Sequence, residues 1–451
     1  MLNERIIMEY VMTQFSLKYK TDKEYPVNYS GIISKDARIN INSSGSDFLK
    51  DAKPFPERIF FKKVLEQDIP FLFGDEQKDI VTNEHGTVTV NYDIIASSFY
   101  FLSGWQEKFC STKDEFGRFP YNESIQKKYD LQTIPVVNYY FTVLKDAIEM
   151  AYGVKLQNRV AENFSCFLTH DIDELKTIWM QESFHALKKR KIANIFPQVM
   201  KKIKGNNVGE SIDSVESIEK KHQIRSTYFF LVRKGNVNEF KNADYDIKEN
   251  KITALVNGVK SSGNEIALHG SFFTHNSKKN LEEDKTVLSN VISNENIYGN
   301  RFHYLCFDID KTPGVLEGSG FRYDSTLGFA EHTGFRNSYS DPFYLFNWEE
   351  EKMSKVIEFP LTVMDVSLYF SQYMHISQSE SFVKIKKLID QIKKINGCLV
   401  LNWHNTSYLK NKNMGWDKLL DEIIIYCKSL GGNFFTFEDY INKYVPGISK
   451  K

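Results

Sequence analysis

The sequence is poor in cysteine and has no long apolar run. Its five cysteines are an odd number, lie far apart and form no Cys-x-x-Cys pair. We therefore expect neither a disulfide framework nor a thiolate zinc site, and we expect a reducing compartment. Apolar stretches stay well below the ~18–20 residues that a membrane-spanning helix needs. The sequence thus predicts a protein without a membrane span.

An excess of charge of one sign is also absent. Lys+Arg and Asp+Glu both number 58, so the formal net charge is zero. This balance argues against binding of nucleic acid or an anionic membrane through a global basic field. Two basic runs, at 188–191 and 201–204, fit either a solvated surface or a functional patch. Acidic residues interrupt the N-terminus where a signal peptide needs an apolar core, so we expect a soluble, cytoplasmic protein.

The length of 451 residues predicts two or more domains. Residues 1–160 show no metal-ligand spacing, and their strand-like and helical runs predict a small α/β domain of unknown role. From 161 to 451, strands and helices alternate, which predicts a parallel sheet or barrel with its chemistry at the carboxyl ends of the strands. A polar, Lys-rich segment at 185–210 is interpreted as an insertion over the rim. The predicted strands of this second part are 163–169, 226–232, 264–268, 300–305, 356–359, 398–402 and 433–436.

Two of these strand-like runs end in metal-binding side chains. The first delivers Asp171 and Asp173, and the second delivers His269. Carboxylate and imidazole at successive strand ends are typical of a hydrolytic metal site in an α/β barrel. Because the two aspartates are two positions apart, their side chains would project to the same side, where one could ligate a cation and the other act as general base. The same segment would equally serve as a helix N-cap.

Three further histidines follow the second of these runs. His275 lies six residues after His269, a spacing that no single helical face accommodates, so a loop would have to bend for both to bind. His303 alternates with Arg301 on a predicted strand and is either functional or a satisfied barrel histidine. His404 follows the strand at 398–402, where a histidine is the natural general acid because its pKa lies near neutrality.

Two other polar residues fall on loops near the predicted strand ends. Arg336 could hold a carboxylate or an oxyanion, or it could pin its loop to the barrel, and we favour the structural role. Asp365 is interpreted as a cap or loop anchor rather than a ligand.

The order of the motifs resembles the polysaccharide deacetylase (NodB-like) superfamily, in a divergent bacterial subgroup. Four segments match that family's Thr-Phe-Asp-Asp, Ala-Thr-Phe-Phe, Gly-His-Glu-Ile-Gly-x-His and final strand-histidine motifs: Thr169-His170-Asp171, Ser226-Thr-Tyr-Phe-Phe230, Gly263-Asn-Glu-Ile-Ala-Leu-His269 and Val400-Leu-Asn-Trp-His404. Residues 99–107 with 117–119 resemble an uncharacterised module fused ahead of such domains in bacteria. The resemblance implies an irregular (β/α) barrel at 161–451, preceded by a smaller α/β domain at 1–160.

Carried over to this sequence, the resemblance implies a role for each candidate. Asp171 takes the place of the catalytic base, His269 of the first metal histidine and His404 of the acid, while Arg301 would orient the base and Asp173 would ligate the metal. The family's adjacent carboxylates are separated here by Ile172, so the roles of Asp171 and Asp173 could exchange. Phe273 stands where the family has its second histidine, so His303 or His275 must substitute. An Arg-x-His-Tyr-Leu segment, typical of the subgroup, favours His303.

The implied activity is metal-dependent hydrolysis of an N-acetyl or related acyl group from a sugar or glycan intermediate. The implied cofactor is a divalent ion, zinc by default, and the implied partner is a carbohydrate or acylated amino sugar. Two alternatives remain. In the first, the missing second histidine indicates a degenerate barrel that binds glycan or a partner and catalyses no reaction. Failure of the protein to bind metal would favour this alternative. The same machinery would also hydrolyse a non-sugar amide or a cyclic imide.

Overall fold

The computed structural model describes residues 2–21, 23–160, 163–176, 209–408 and 415–445. The basic runs at 188–191 and 201–204 lie outside the described residues, and so does the predicted insertion at 185–210 except for its last two positions.

The N-terminal part is a small α/β region. Four of its strands form a sheet in the order β2-β3-β7-β6, β4 pairs with β5 as an antiparallel hairpin, and β1 pairs with β8. Its strands are β1 (Tyr19–Lys20), β2 (Val27–Tyr29), β3 (Ile39–Ile41), β4 (Phe60–Val64), β5 (Gln67–Phe71), β6 (Val81–Glu84), β7 (Thr87–Val90) and β8 (Gln157–Asn158). Its helices are α1 (Glu4–Lys18), α2 (Ser46–Lys50), α3 (Ile94–Leu102), α4 (Trp105–Lys108), α5 (Ile125–Lys128) and α6 (Val136–Tyr152).

The C-terminal part is built on one curled sheet. The described strands pair in the order β16-β17-β15-β14-β13-β10-β9-β19-β18, with β20 also on β9, and every pair is parallel except β16 with β17. The strands of this part are β9 (Ser165–Ile172), β10 (Thr227–Leu231), β11 (Asn236–Val237), β12 (Phe240–Lys241), β13 (Glu265–Gly270), β14 (Gly299–Phe302), β15 (Tyr323–Asp324), β16 (Phe343–Asn347), β17 (Lys352–Glu358), β18 (Val363–Met364), β19 (Cys398–Asn402) and β20 (Asn433–Phe434).

Helices connect these strands. All residues of β9, β10 and β19 are buried, which is what a parallel sheet covered on both faces requires. The longest of the described connecting helices begins with a capping box between Ser377 and Glu380. The described helices of this part are α7 (Glu210–His222), α8 (Asn250–Ser261), α9 (Lys278–Val291), α10 (Thr312–Gly318), α11 (Asp365–Tyr369), α12 (Gln378–Lys394), α13 (Trp416–Ser429) and α14 (Phe437–Tyr444). The prediction of an irregular (β/α) barrel preceded by a smaller α/β region is confirmed.

The two parts share an aromatic contact. Tyr10 of α1 and Phe99 of α3 both pack edge-on against Phe346 of β16, with ring centroids 5.3 and 5.0 Å apart. Trp105 of α4 packs on Trp348, just after β16, at 5.7 Å. One buried hydrophobic cluster therefore contains residues from both sides of position 160. The division at that position stays a prediction.

The described helices include none that is long and apolar enough to cross a membrane. All five cysteines are free thiols, and four of them are buried.

Candidate metal centre and active site

The candidate residues lie at the carboxyl ends of neighbouring strands. Asp171 is the second-to-last residue of β9, and Asp173 directly follows that strand. His269 is the second-to-last residue of β13. His303 begins a short 3₁₀ turn directly after β14, and His404 follows β19 by two residues. Because β14, β13, β10, β9 and β19 are consecutive parallel strands, their ends bring these side chains to one edge of the sheet.

Three of these residues form a group with metal-ligand geometry. Asp173, His269 and His303 each offer one ligand atom, and these atoms all lie within 4.8 Å of one another. Asp173 Oδ1 is 3.3 Å from His269 Nε2, and Asp173 Oδ2 is 3.7 Å from His303 Nε2. One carboxylate and two imidazoles are a donor set that zinc and similar divalent ions accept, with open positions left for other ligands.

The hydrogen bonding of His269 supports this fit. Its Nδ1 lies 2.8 Å from the carbonyl oxygen of Arg301. Since a carbonyl only accepts, Nδ1 carries the proton, and the neutral ring then directs the lone pair of Nε2 at the carboxylate of Asp173. Two acceptors facing each other at 3.3 Å need a proton or a cation between them. The residues present therefore fit a divalent cation.

Electrostatics at the group favour positive charge. Burial raises the pKa of Asp173, but His303 and His269 outweigh burial and hold that pKa well below its usual range. Burial lowers the pKa of His269, yet the carboxylates of Asp171 and Asp173 raise it above its ordinary value. For His303, burial is the largest effect and its pKa is lowered. Asp173 is thus an anion at neutral pH, as a metal ligand must be.

Asp171 has a different environment from Asp173. Its Oδ1 accepts a hydrogen bond from Arg301 Nη1 at 2.9 Å, and its Oδ2 accepts one from Asn402 Nδ2 at 2.7 Å. Burial raises the pKa of Asp171, but the charge of Arg301 and the nearby histidines lower it overall. Arg301 is itself fully buried and donates to Ser325 and Thr169 as well. Asp171 is held as a carboxylate in a fixed orientation beside the group.

His404 is oriented by Asp365. His404 Nδ1 lies 2.6 Å from Asp365 Oδ1, and the backbone N–H of His404 donates to Asp365 Oδ2 at 2.8 Å. Nε2 of the ring faces the metal-ligand group, 3.7 Å from Asp173 Oδ2. Burial lowers the pKa of His404, but Asp365 and the other carboxylates raise it to about 10. This pairing keeps a proton on His404 at neutral pH, ready for transfer from Nε2.

These side chains line one cavity of about 210 Å³. Asp171, Asp173, His269, His303 and His404 form its floor, and residues from several loops form its walls. The walls include Arg118, which comes from the N-terminal part of the chain, together with Glu174, Tyr304, Leu305, Ala330, Met364, Val366, Tyr373, Asn405 and Thr406.

Three other candidates lie outside the metal-ligand group. His275 is in the 3₁₀ turn Thr274–Asn276 and packs against Phe302 at 6.1 Å, so His303 rather than His275 stands with Asp173 and His269. Arg336 is buried and bonds to both carboxylate oxygens of Glu107, at 2.8 and 2.6 Å; the role is structural, as we favoured, but this contact ties the loop to the N-terminal part rather than to the barrel. Asp365 anchors a loop, as expected, and also contacts His404.

Sequence reasoning missed two residues that shape the site, Asn402 and Arg118, and one contact of a third, Asp365. Asn402 is the last residue of β19 and lies two positions before His404, and this spacing of two was the available signal for a second side chain on the same side. Asp365 was named as a loop anchor, but its contact with His404 was not foreseen, because the strand before it has only two residues and no period shows which way its side chain faces. Arg118 contacts the backbone of Tyr304 across 186 positions, and no local pattern reports such a contact.

Comparison with known proteins gives the following similarities. Residues 1–153 match a family of unknown function (DUF7033). No curated protein matches the chain. Among solved structures, a protein assigned as a polysaccharide deacetylase from Mycobacterium smegmatis is 16% identical, with 64% of this chain and 93% of that chain covered and a TM-score of 0.43.

Two further structures are similar at the same low level of identity. Puue allantoinase is 12% identical, with 64% of this chain and 92% of that chain covered and a TM-score of 0.42. A protein assigned as a polysaccharide deacetylase from Pseudomonas aeruginosa PAO1 is 14% identical, with 53% and 74% covered and a TM-score of 0.38. Polysaccharide deacetylases are thus among the solved structures to which this chain is similar.

Proposed function

We propose that this protein is a metal-dependent hydrolase that removes an N-acetyl or related acyl group from an amino sugar or glycan intermediate. The observation that carries the proposal is the meeting of a metal-ligand group, a carboxylate and a protonated histidine in one cavity. Such a set serves hydrolysis of an amide, in which water must lose a proton and the amine must gain one. The order of the sequence motifs supports the acylated sugar as substrate.

The proposed metal ligands are Asp173, His269 and His303. We propose zinc as the ion, because a carboxylate and two imidazoles with open positions are typical of catalytic zinc. When bound, a divalent ion makes water more acidic and polarises the acyl carbonyl.

The chain's own residues would then move two protons. Asp171, fixed by Arg301 and Asn402, accepts a proton from the attacking water while the water oxygen bonds to the acyl carbon. His404, fixed by Asp365, donates its Nε2 proton to the amine nitrogen as the carbon–nitrogen bond breaks. The products are a carboxylic acid and a free amine. General acid–base residues of this kind contribute about 10²–10⁴-fold to the rate.

The test is metal content followed by deacylation. We expect about one equivalent of zinc or a similar ion in the purified full-length protein and its loss in Asp173→Ala, because that carboxylate is the charged ligand. With the ion bound, Asp171→Asn and His404→Ala are each expected to lower turnover of acetylated amino sugars by about 10²–10⁴-fold, since each removes one proton transfer. Elemental analysis and detection of released acetate measure these effects.

His332→Ala is the control for histidine loss. His332 is partly buried, and its Nδ1 contacts the carbonyl oxygen of Thr333 rather than any member of the metal-ligand group, so metal content should stay unchanged. If the wild type binds no divalent ion even after incubation with zinc, cobalt or manganese, the hydrolase proposal is wrong. If the ion binds but both variants retain near-normal turnover, the roles given to Asp171 and His404 are wrong.

A further inference from the structure

His303 differs from the other two histidines that face the cavity in how its ring is held. Nδ1 of His269 contacts the carbonyl oxygen of Arg301, and Nδ1 of His404 contacts Asp365. Nδ1 of His303 is buried and has no hydrogen-bond partner among the described residues. Metal-bound histidines usually donate this second ring N–H to a partner that fixes the ring. Something other than a hydrogen bond must therefore orient His303.

The ring of Tyr304 supplies this orientation. It stacks on the His303 ring with the centroids 4.0 Å apart and the planes 26° from parallel. Tyr304 and the next residue, Leu305, have φ angles of 59° and 57°, the left-handed region that side chains other than glycine rarely adopt. Such a turn persists only where surrounding contacts hold it. The orientation of His303 thus depends on what holds Tyr304.

Residues 114–118 of the N-terminal part contact Tyr304 twice, and the Tyr304 hydroxyl also donates to the Lys241 carbonyl oxygen at 3.0 Å. Arg118 Nη1 donates a hydrogen bond of 2.7 Å to the carbonyl oxygen of Tyr304. The Phe116 ring stacks on the Tyr304 ring, with the centroids 4.9 Å apart and the planes 22° from parallel. The Arg118 guanidinium in turn lies over the Phe116 ring at 4.5 Å. Three stacked groups therefore connect the N-terminal part to His303.

Asp114 fixes the shape of this segment. Its Oδ1 accepts hydrogen bonds from the backbone N–H of Phe116 at 2.9 Å and of Arg118 at 2.8 Å. Its Oδ2 accepts one from Arg118 Nε at 2.7 Å. The guanidinium is buried in this pairing, so its direction toward Tyr304 is set before any ligand binds.

We propose that residues 114–118 are a positioning segment for the metal ligand His303, so that the metal centre is incomplete without the N-terminal part of the chain. This role rests on the proposed function, because it assumes that His303 ligates the ion. Phe116 acts through Tyr304, and Arg118 does so through the Tyr304 carbonyl oxygen while it also lines the cavity. Partners of this kind beyond the ligands change metal affinity by about 10–100-fold when they are removed.

The test is a titration of the metal-free, full-length protein with cobalt(II), in which the visible absorption of the bound ion reports binding. Phe116→Ala should weaken cobalt binding by about 10-fold or more and alter the visible spectrum, because His303 loses its fixed orientation. Phe116→Tyr keeps the stacked ring and should restore both. Arg118→Lys, which cannot bond Asp114 and Tyr304 as a fork, is the second variant and should also weaken binding.

Phe48→Ala is the matched control. Phe48 is a partly buried phenylalanine of the same part, packed on Phe73 and Trp105 away from the cavity, so cobalt affinity and spectrum should stay at wild-type values. If Phe116→Ala and Arg118→Lys fold and bind cobalt like the wild type, the positioning role is overturned while the proposed hydrolase stands. If the wild type binds no cobalt, the proposed function falls, and this role falls with it.

Discussion

Two aspartates that are almost adjacent in sequence have opposite surroundings in the site. Asp171 contacts a guanidinium and an amide that leave it no freedom to turn, whereas Asp173 faces imidazole nitrogens and is the more exposed of the two. A carboxylate held in place suits proton transfer, and one facing imidazoles suits a cation. This difference supports the proposal that Asp171 is the base and Asp173 the ligand, rather than the reverse assignment that the sequence also allowed.

At the same scale, Asp365→Asn tests how His404 is charged. Burial lowers the pKa of His404, and the Asp365 carboxylate at 2.6 Å is the main reason that this pKa is nevertheless raised to about 10. Removing that charge lowers the pKa, so the proton needed for the leaving amine is lost at a lower pH. We expect the alkaline limb of the kcat/KM profile to move toward acid and the plateau to fall.

Asp421→Asn is the control, because Asp421 pairs with His222 at 2.7 Å outside the cavity. Its pH profile should match that of the wild type. An alkaline limb that stays in place in Asp365→Asn would show that another group supplies the proton.

Individual side chains of the site were predictable where a strand ended in them. Asp171, Asp173, His269 and His404 follow recognisable apolar runs, and parallel strands bring their ends together. The choice of His303 over His275 depends on a turn whose shape is set by contacts from a distant part of the chain. The sequence offered His303 and His275 as alternative ligands, but the spacing of the residues could not choose between them.

Among the elements, β13 carries a half-buried acid at its start. Glu265 Oε2 accepts hydrogen bonds from Thr227 Oγ1 and from the backbone N–H of Phe437, and Oε1 accepts one from Tyr323. Burial raises the pKa of Glu265 from 4.5 to about 7. A folded-state pKa above the unfolded value means that this group favours folding below about pH 4.5, and that the benefit is lost as pH rises to about 7.

Glu265→Gln should therefore change the pH dependence of stability. The amide keeps an oxygen for the N–H and hydroxyl donors and can donate to Tyr323, but it carries no charge to bury. The difference in free energy of unfolding between Glu265→Gln and the wild type should be about 2–3 kcal/mol more in favour of the variant at pH 8 than at pH 5. Urea denaturation at the two pH values measures it, with Glu123→Gln on an exposed turn as control. An equal difference at both pH values would contradict the expectation.

Element prediction found the fully buried strands β9, β10 and β19 but missed β16. Each of the predicted strands of the second part overlaps an observed one: β9, β10, β13, β14, β17, β19 and β20. The short strands β15 and β18, of two residues each, have too few positions to show a period. The strand predicted at 300–305 ends at Phe302, because the left-handed turn at Tyr304 and Leu305 replaces its last residues.

For the whole molecule, a buried ion pair joins the N-terminal part to the barrel. Arg336 and Glu107 are 1% and 3% exposed and form a two-pronged contact. Removing one partner leaves the other charge buried without compensation, which costs about 3–5 kcal/mol. Glu107→Ala should accordingly lower the free energy of unfolding by that amount. Urea denaturation measures it, and we expect a single unfolding transition.

Glu9→Ala serves as the control, because Glu9 pairs with Arg5 on the surface, where both side chains are 70% or more exposed. Its effect should stay below about 1 kcal/mol. Separate unfolding of the two parts in Glu107→Ala, with the barrel transition unchanged, would show that they are not energetically coupled. No sequence pattern predicts this coupling, since its partners are 229 positions apart.

The aromatic contact between the two parts bears on how such a chain can change in evolution. Were the barrel inherited without residues 1–160, Phe346 and Trp348 would lose the rings of Tyr10, Phe99 and Trp105 that now cover them. Uncovered aromatic surface of that kind promotes aggregation. Recombination within this gene should therefore preserve the two parts as a unit, and barrels transplanted alone should require polar replacements along β16 to remain dispersed in water.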